Sequence, residues 1–229
     1  MEAQNKQTKR VNVREALRRV HDEIVSCHAC NLRGGARLPV PGSKIAEIPD
    51  LERAPLLIVG EAPGREEDLQ GAPFVGWAGK FLRKMLQRAD LAHLTYITNL
   101  VKCRPPQNRD PQPEEIVACA PFLDRQIEAA RPHIILALGR FSAGYVWEKF
   151  LHEVFDKPFP GITRVNGQAY TLEHNGERLY IAFFVHPAYI LRRAREGETT
   201  LPKAFYAHLQ GLRFVLERLG YPRRKRRYR

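Results

Sequence analysis

The sequence predicts an α/β fold of three layers, α/β/α, around a central, mainly parallel sheet. Short, continuous apolar runs recur at 55–60, 96–101, 133–139 and 179–185, as expected of strands buried on both faces. Amphipathic segments with helical spacing lie between them, the alternation that gives parallel strands joined by crossover helices. The chain has 229 residues, 44% of them hydrophobic, enough for one domain with a substantial core.

The elements follow in order. Val13, Ala16, Leu17, Val20 and Ile24 recur on one side of a helix over 13–25, with Arg14, Arg18 and Arg19 on the other. Cys27-His28-Ala29-Cys30 comes next, then a Gly/Pro-rich loop to about position 49. The first strand at 55–60 is followed by a helix over 78–88, where apolar and basic positions alternate. A second strand at 96–101 precedes a crossover helix over 113–130, with Pro113 near its first turn. The third strand, 133–139, leads to a helix ending near 150. Asn166-Gly167 and Asn175-Gly176 suggest two successive tight hairpins before the strand at 179–185. A last helix spans about 201–219. Residues 1–222 read as a single domain without repeats, and 223–229 as a basic tail that is either solvated or a DNA-contacting arm.

Thirty-seven Lys and Arg against 25 Asp and Glu give a formal charge of +12 and a pI near 9.8. That balance favours a polyanionic partner, and DNA, RNA and an anionic membrane all qualify. No apolar run approaches the roughly 20 residues of a bilayer span, and residues 1–10 are too polar for a secretory signal. The expectation is a soluble cytoplasmic monomer with no membrane partner.

In open α/β sheets, ligands bind beyond the carboxyl ends of the strands. The first strand ends in Gly60-Glu61-Ala62-Pro63-Gly64, the second around Asn99, the third at Gly139-Arg140, and the fourth runs into His186-Pro187. A carboxylate, an amide and an imidazole thus meet on one rim, as a catalytic site requires. Singly, each has a bland explanation: Glu61 as a turn cap, Asn99 as a loop tie, His186 as a hydrogen-bonded structural histidine. Neither 60–64 nor 71–80 has the glycine spacing of a P-loop or dinucleotide fold.

Cys27 and Cys30 form a C-x2-C pair, while Cys103 and Cys119 have 15 residues between them. A reducing compartment favours ligation over disulfides. Four thiolates match the count of a 4Fe–4S cluster, but zinc and unrelated buried cysteines stay open on spacing alone.

These motifs together resemble those of the family 4, iron–sulfur uracil-DNA glycosylases. Gly60-Glu61-Ala62-Pro63-Gly64-Arg65-Glu66-Glu67-Asp68 is similar to the family's first motif, and Gly71-Ala72-Pro73-Phe74-Val75-Gly76-Trp77-Ala78-Gly79 to its base-stacking loop. Asn99-Leu100-Val101-Lys102-Cys103-Arg104-Pro105-Pro106 resembles its base-recognition strand end, and His186-Pro187-Ala188-Tyr189-Ile190-Leu191-Arg192 its DNA-intercalating loop. The likeness covers about 27–192; Glu61 separates the chain from family 5, whose first motif lacks that residue.

The resemblance implies a uracil-DNA glycosylase-like fold, uracil-containing DNA as partner, a 4Fe–4S cofactor on Cys27, Cys30, Cys103 and Cys119, and entry into base excision repair. It implies that Glu61 serves the attacking water, that His186 donates to uracil O2, and that Phe74 stacks on the extruded base. Asn99 would read O4 and N3–H, Gly60 and Ala62 would line the base site, and Glu67 would crowd the C5 edge. Tyr189, Ile190, Leu191 and Arg192 would enter the DNA. A nucleoid-associated location and contact with a sliding clamp are further expectations. Two rivals remain: a glycosylase for another deaminated base such as hypoxanthine, and a non-catalytic iron–sulfur or zinc nucleic-acid-binding module.

Overall fold

The computed structural model describes residues 12–224; residues 1–11 and 225–229, including most of the basic tail, lie outside it. Strands β1 (Leu56–Gly60), β2 (Thr95–Asn99), β3 (Ile134–Leu138), β4 (Ala169–His174) and β5 (Glu177–Phe184) form one sheet in the order β2-β1-β3-β5-β4. All neighbours are parallel except β4 and β5, so the expected mainly parallel sheet carries one antiparallel edge strand. The helices are α1 (Val13–Val25), α2 (Leu32–Gly35), α3 (Arg65–Gln70), α4 (Trp77–Arg88) and α5 (Pro113–Ala130). They continue with α6 (Arg140–Phe150), α7 (His152–Phe155), α8 (Ile162–Val165), α9 (Pro187–Arg195) and α10 (Thr200–Arg218). Among the described residues no helix is long and apolar enough to cross a membrane.

The strands are apolar throughout because successive side chains feed opposite cores. Leu57 and Val59 of β1 pack with Leu17 of α1, Leu123 of α5 and Val146 of α6. Leu56 and Ile58 face the other way, towards Leu82 of α4 and Phe205 and Leu209 of α10. Each such fully buried aliphatic side chain contributes about 1.5–3 kcal/mol relative to exposure. Helix α5 opens with Pro113 at its first turn, and Gln112 and Glu115 form a capping box.

The paired-hairpin expectation is half right. Asn175 and Gly176, at φ 52° and 74°, make the tight turn between β4 and β5. Asn166-Gly167 instead ends α8, and the Asn166 side chain accepts from the Val185 N–H at 2.9 Å. Helix α8 leads directly into that turn in place of a strand, so the turn closes no hairpin.

β2 is an edge strand whose outer side is covered by the loop at 40–43. The Ser43 N–H donates to the Ile97 carbonyl (2.8 Å) and the Ile97 N–H to Ser43 Oγ (3.0 Å). The Val40 N–H reaches the Lys102 carbonyl (2.7 Å), and Thr98 Oγ1 donates to the Pro41 carbonyl (3.0 Å). The outward-facing backbone groups of Ile97 are thereby paired within the chain.

Candidate active site

The carboxyl ends of β1 and β2, the segment after β5 and the 105–111 loop surround a pocket of about 330 Å³. Glu61, Ala62, Glu67, Phe74, Trp77, Asn99 and His186 line it. The register aligns Gly60 with Asn99 across β1 and β2, which sets the amide beside the first motif. Convergence of the three polar residues, expected from their strand ends, is what the fold produces.

Glu61 is half-buried, and its Oε1 accepts from the Phe141 N–H at 3.1 Å, at the start of α6. Burial pushes its pKa up, while the N–H groups of Phe141 and Arg140 pull it part of the way back. Gly139, at φ 97°, makes the approach possible, because a Cβ there would stand 2.5 Å from Glu61 Oε1. Beyond the carboxylate, Arg140 and Asp110 form an ion pair at the pocket's rim.

His186 caps α9 with its own ring: Nδ1 accepts from the Ala188 N–H at 3.2 Å. That bond assigns the ring proton to Nε2, which is left as a donor. Desolvation lowers the pKa to about 4, so the ring is neutral at pH 7. It stacks on Phe74 with centroids 5.7 Å apart and planes 27° from parallel. Phe74 itself is held at φ 52°, an uncommon backbone state for a bulky residue. Arg83 braces it, donating through Nε to the Phe74 carbonyl and through a terminal nitrogen to that of Pro73, both at 3.0 Å.

Asn99 is 2% exposed and lies against Gly60. Among the described residues, its side-chain amide has no hydrogen-bond partner, whereas its carbonyl accepts from the fully buried Lys102 ammonium. Lys102 also donates to Thr98 Oγ1 (3.0 Å) and Gln126 Oε1 (2.7 Å), which ties the end of β2 to α5. Sequence reading missed this tie, although a lysine inside an apolar stretch beside Asn99 was a visible signal.

Glu67 lies on the pocket wall, but its Oε1 accepts from the N–H groups of Val75 (2.9 Å) and Gly76 (2.8 Å). It therefore holds the 71–77 loop in addition to facing the pocket.

Two expectations at 187–192 need correction. The segment is not a loop but the first part of helix α9, started by Pro187. Ile190 is 0% exposed, packed with the core that includes α4 and α10. Helical spacing turns it inward, so it is a packing residue and not a DNA contact. Tyr189 and Arg192 are exposed, with the guanidinium 5.4 Å from the ring centroid, and Leu191 is half-buried.

The four cysteines, from the end of α1, the segment after β2 and α5, line one small cavity with Ile24, Val101 and Phe122. None is in a disulfide. Backbone N–H groups of Ala29 and Lys102 point at Cys27 Sγ (3.4 Å) and Cys119 Sγ (3.2 Å). Burial, followed by the neighbouring Cys119 and Cys30, pushes the Cys103 thiol up to about 12. Among the described residues no three His, Cys, Asp or Glu side chains are gathered as the ligands of one metal ion.

The family model described as Uracil DNA glycosylase superfamily matches residues 48–210. The chain is 45% identical to the Type-4 uracil-DNA glycosylase of Archaeoglobus fulgidus over 185 residues, 80% of this chain and 87% of that protein. It is 41% identical to that of Saccharolobus solfataricus over 175 residues, 74% of each chain. With the Type-4 enzyme of Thermotoga maritima it shares 36% over 179 residues, 78% of this chain and 84% of that one.

Proposed function

The chain belongs to the type-4 uracil-DNA glycosylases, and we propose on that basis that it extrudes uracil from DNA and hydrolyses the N-glycosidic bond, opening base excision repair. One observation carries the reading: Glu61, Asn99, Phe74 and His186, far apart in sequence, share a single pocket at the strand ends. A base inside the duplex stack is out of reach of such a pocket, so it must be flipped out.

Phe74 offers the extruded ring a face. Asn99 presents a donor and an acceptor in the order that suits uracil O4 and N3–H, and cytosine presents the reverse. Glu61, held on one side by the N–H groups that open α6, offers its remaining lone pairs to a water. The water oxygen bonds to sugar C1′, the C1′–N1 electron pair leaves with the base, and the water's proton passes to the carboxylate. Negative charge arriving at uracil O2 meets the Nε2–H of a neutral His186, whose orientation the Ala188 N–H fixes beforehand.

Cys27, Cys30, Cys103 and Cys119 would hold a 4Fe–4S cluster. Their shared apolar cavity and the N–H groups aimed at two of the sulfurs suit thiolate ligands. When bound, the group supplies a covalent tie between the N-terminal segment, the end of β2 and α5, and hydrolysis draws no electrons from it. Cys103 lies four residues after Asn99, so ligation there would steady the end of β2 that carries the Asn99 amide.

Incubation with a uracil-containing oligonucleotide should release free uracil and leave alkali-labile abasic sites. Release of hypoxanthine from a matched substrate, with uracil untouched, would instead establish the rival glycosylase.

A further inference from the structure

Trp77 is the most exposed aromatic side chain at the pocket, 47% accessible where most large apolar groups nearby are buried. It is the first residue of α4, and Glu67 fixes the turn before it through the Gly76 N–H. Its indole is not loose: the Arg195 guanidinium, from the last residue of α9, lies 4.1 Å from the ring centroid. Arg193 turns to Glu196 (2.6 Å), while Arg195 is committed to the indole. Tyr189 and Arg192 repeat the pairing on the same helix, next to Ala188 at the pocket wall. An aromatic face braced by a cation at the mouth of a DNA pocket has the chemistry that holds unpaired bases: the π-face stacks and the guanidinium meets phosphate.

We propose that Trp77, braced by Arg195, is a stacking platform for the unpaired base next to the extruded nucleotide. The proposal rests on the glycosylase reading and adds a second base-binding position to it. A neighbour inside an intact duplex is already stacked and paired, so the platform favours single-stranded or locally melted DNA. Trp77 touches neither the reacting bond nor the groups acting on it, so its effect falls on binding more than on the chemical step.

The test uses the indole as its own reporter. The chain has two tryptophans, and Trp147 is buried at 4% exposure in the opposite core. A single-stranded oligonucleotide carrying 2′-fluoro-2′-deoxyuridine, which resists cleavage, should quench the wild-type fluorescence and leave that of Trp77→Phe nearly unchanged. On cleavable substrates, Trp77→Ala should raise KM on single strands and cut the ratio of single-stranded to duplex kcat/KM by about tenfold. Trp77→Phe, which keeps a smaller ring, should recover part of that ratio. Arg195→Ala should also lower the ratio and flatten the salt dependence of binding by about one phosphate contact. Absence of quenching in the wild type, or an unchanged ratio in Trp77→Ala, overturns the proposal. Failure of the underlying activity would show separately, as no uracil release from any substrate by the wild type.

Discussion

Replacing Gly60 by alanine adds one methyl group at the point where the Asn99 amide and the Phe74 ring meet. A Cβ there would stand 2.3 Å from Asn99 Oδ1 and 2.7 Å from Phe74 Cζ, where ordinary contact begins at 3.4 Å. Gly60 has no positive φ, so the backbone tolerates alanine and the effect is steric alone. Relieving both contacts moves the amide, the ring or both by about 1 Å, a misplacement that costs on the order of 100-fold in rate. Overpacking a tight site also lowers stability, here by about 1–3 kcal/mol. The assay is single-turnover uracil excision with enzyme in excess, alongside thermal melting so that folded protein is compared with folded protein. Excision within about twofold of wild type, with melting unchanged, would show that the amide and ring positions do not set the rate.

Asn99→Asp replaces the donor by a second acceptor, so it should lose most uracil excision and shift relative preference towards cytosine on matched single strands. Retention of the full uracil preference would remove Asn99 from recognition. With Glu61 in its proposed role of taking the water's proton, the ionised form would be the active one; because burial raises its pKa, excision should fall with decreasing pH from above the ordinary carboxylate range. His186, with its pKa near 4, adds no limb between pH 6 and 8, and Glu61→Gln should be slow and free of the acid limb. Anaerobically purified protein should be yellow-brown with about four irons per chain. Stoichiometric zinc without iron would sink the cluster reading.

Much of the scaffold was legible because its signals are local and strong. The β1 and β3 runs are continuous and apolar, and Pro113 marked the start of α5 at the residue where the helix begins. Glu61, Asn99 and His186 were legible as a group because each stands at or just beyond the carboxyl end of a strand. Helix α9 was not: it is capped by a histidine ring nitrogen, outside the Ser/Thr/Asp/Asn signature, and is nine residues long. Reading it as a loop also hid the inward turn of Ile190. Asn166-Gly167 carried a hairpin signature, but the dipeptide specifies a turn and not what flanks it. Long-range pairings such as Arg195 over Trp77, or Glu67 with the 75–76 backbone, join residues whose spacing carries no periodic signal.

The covered edge of β2 has a consequence for fidelity. Asn99 shares its face of the strand with Ile97, and a slip of one residue would turn the amide to the opposite face. On the proposed role of Asn99, recognition is therefore quantised by the ladder: a strand in step would read uracil, and one out of step would read nothing. The 40–43 loop locks that step from outside through Ser43 and Ile97, while β1 locks it from inside. Heating should accordingly shrink the active fraction without making the survivors less discriminating, a silence in place of mistakes.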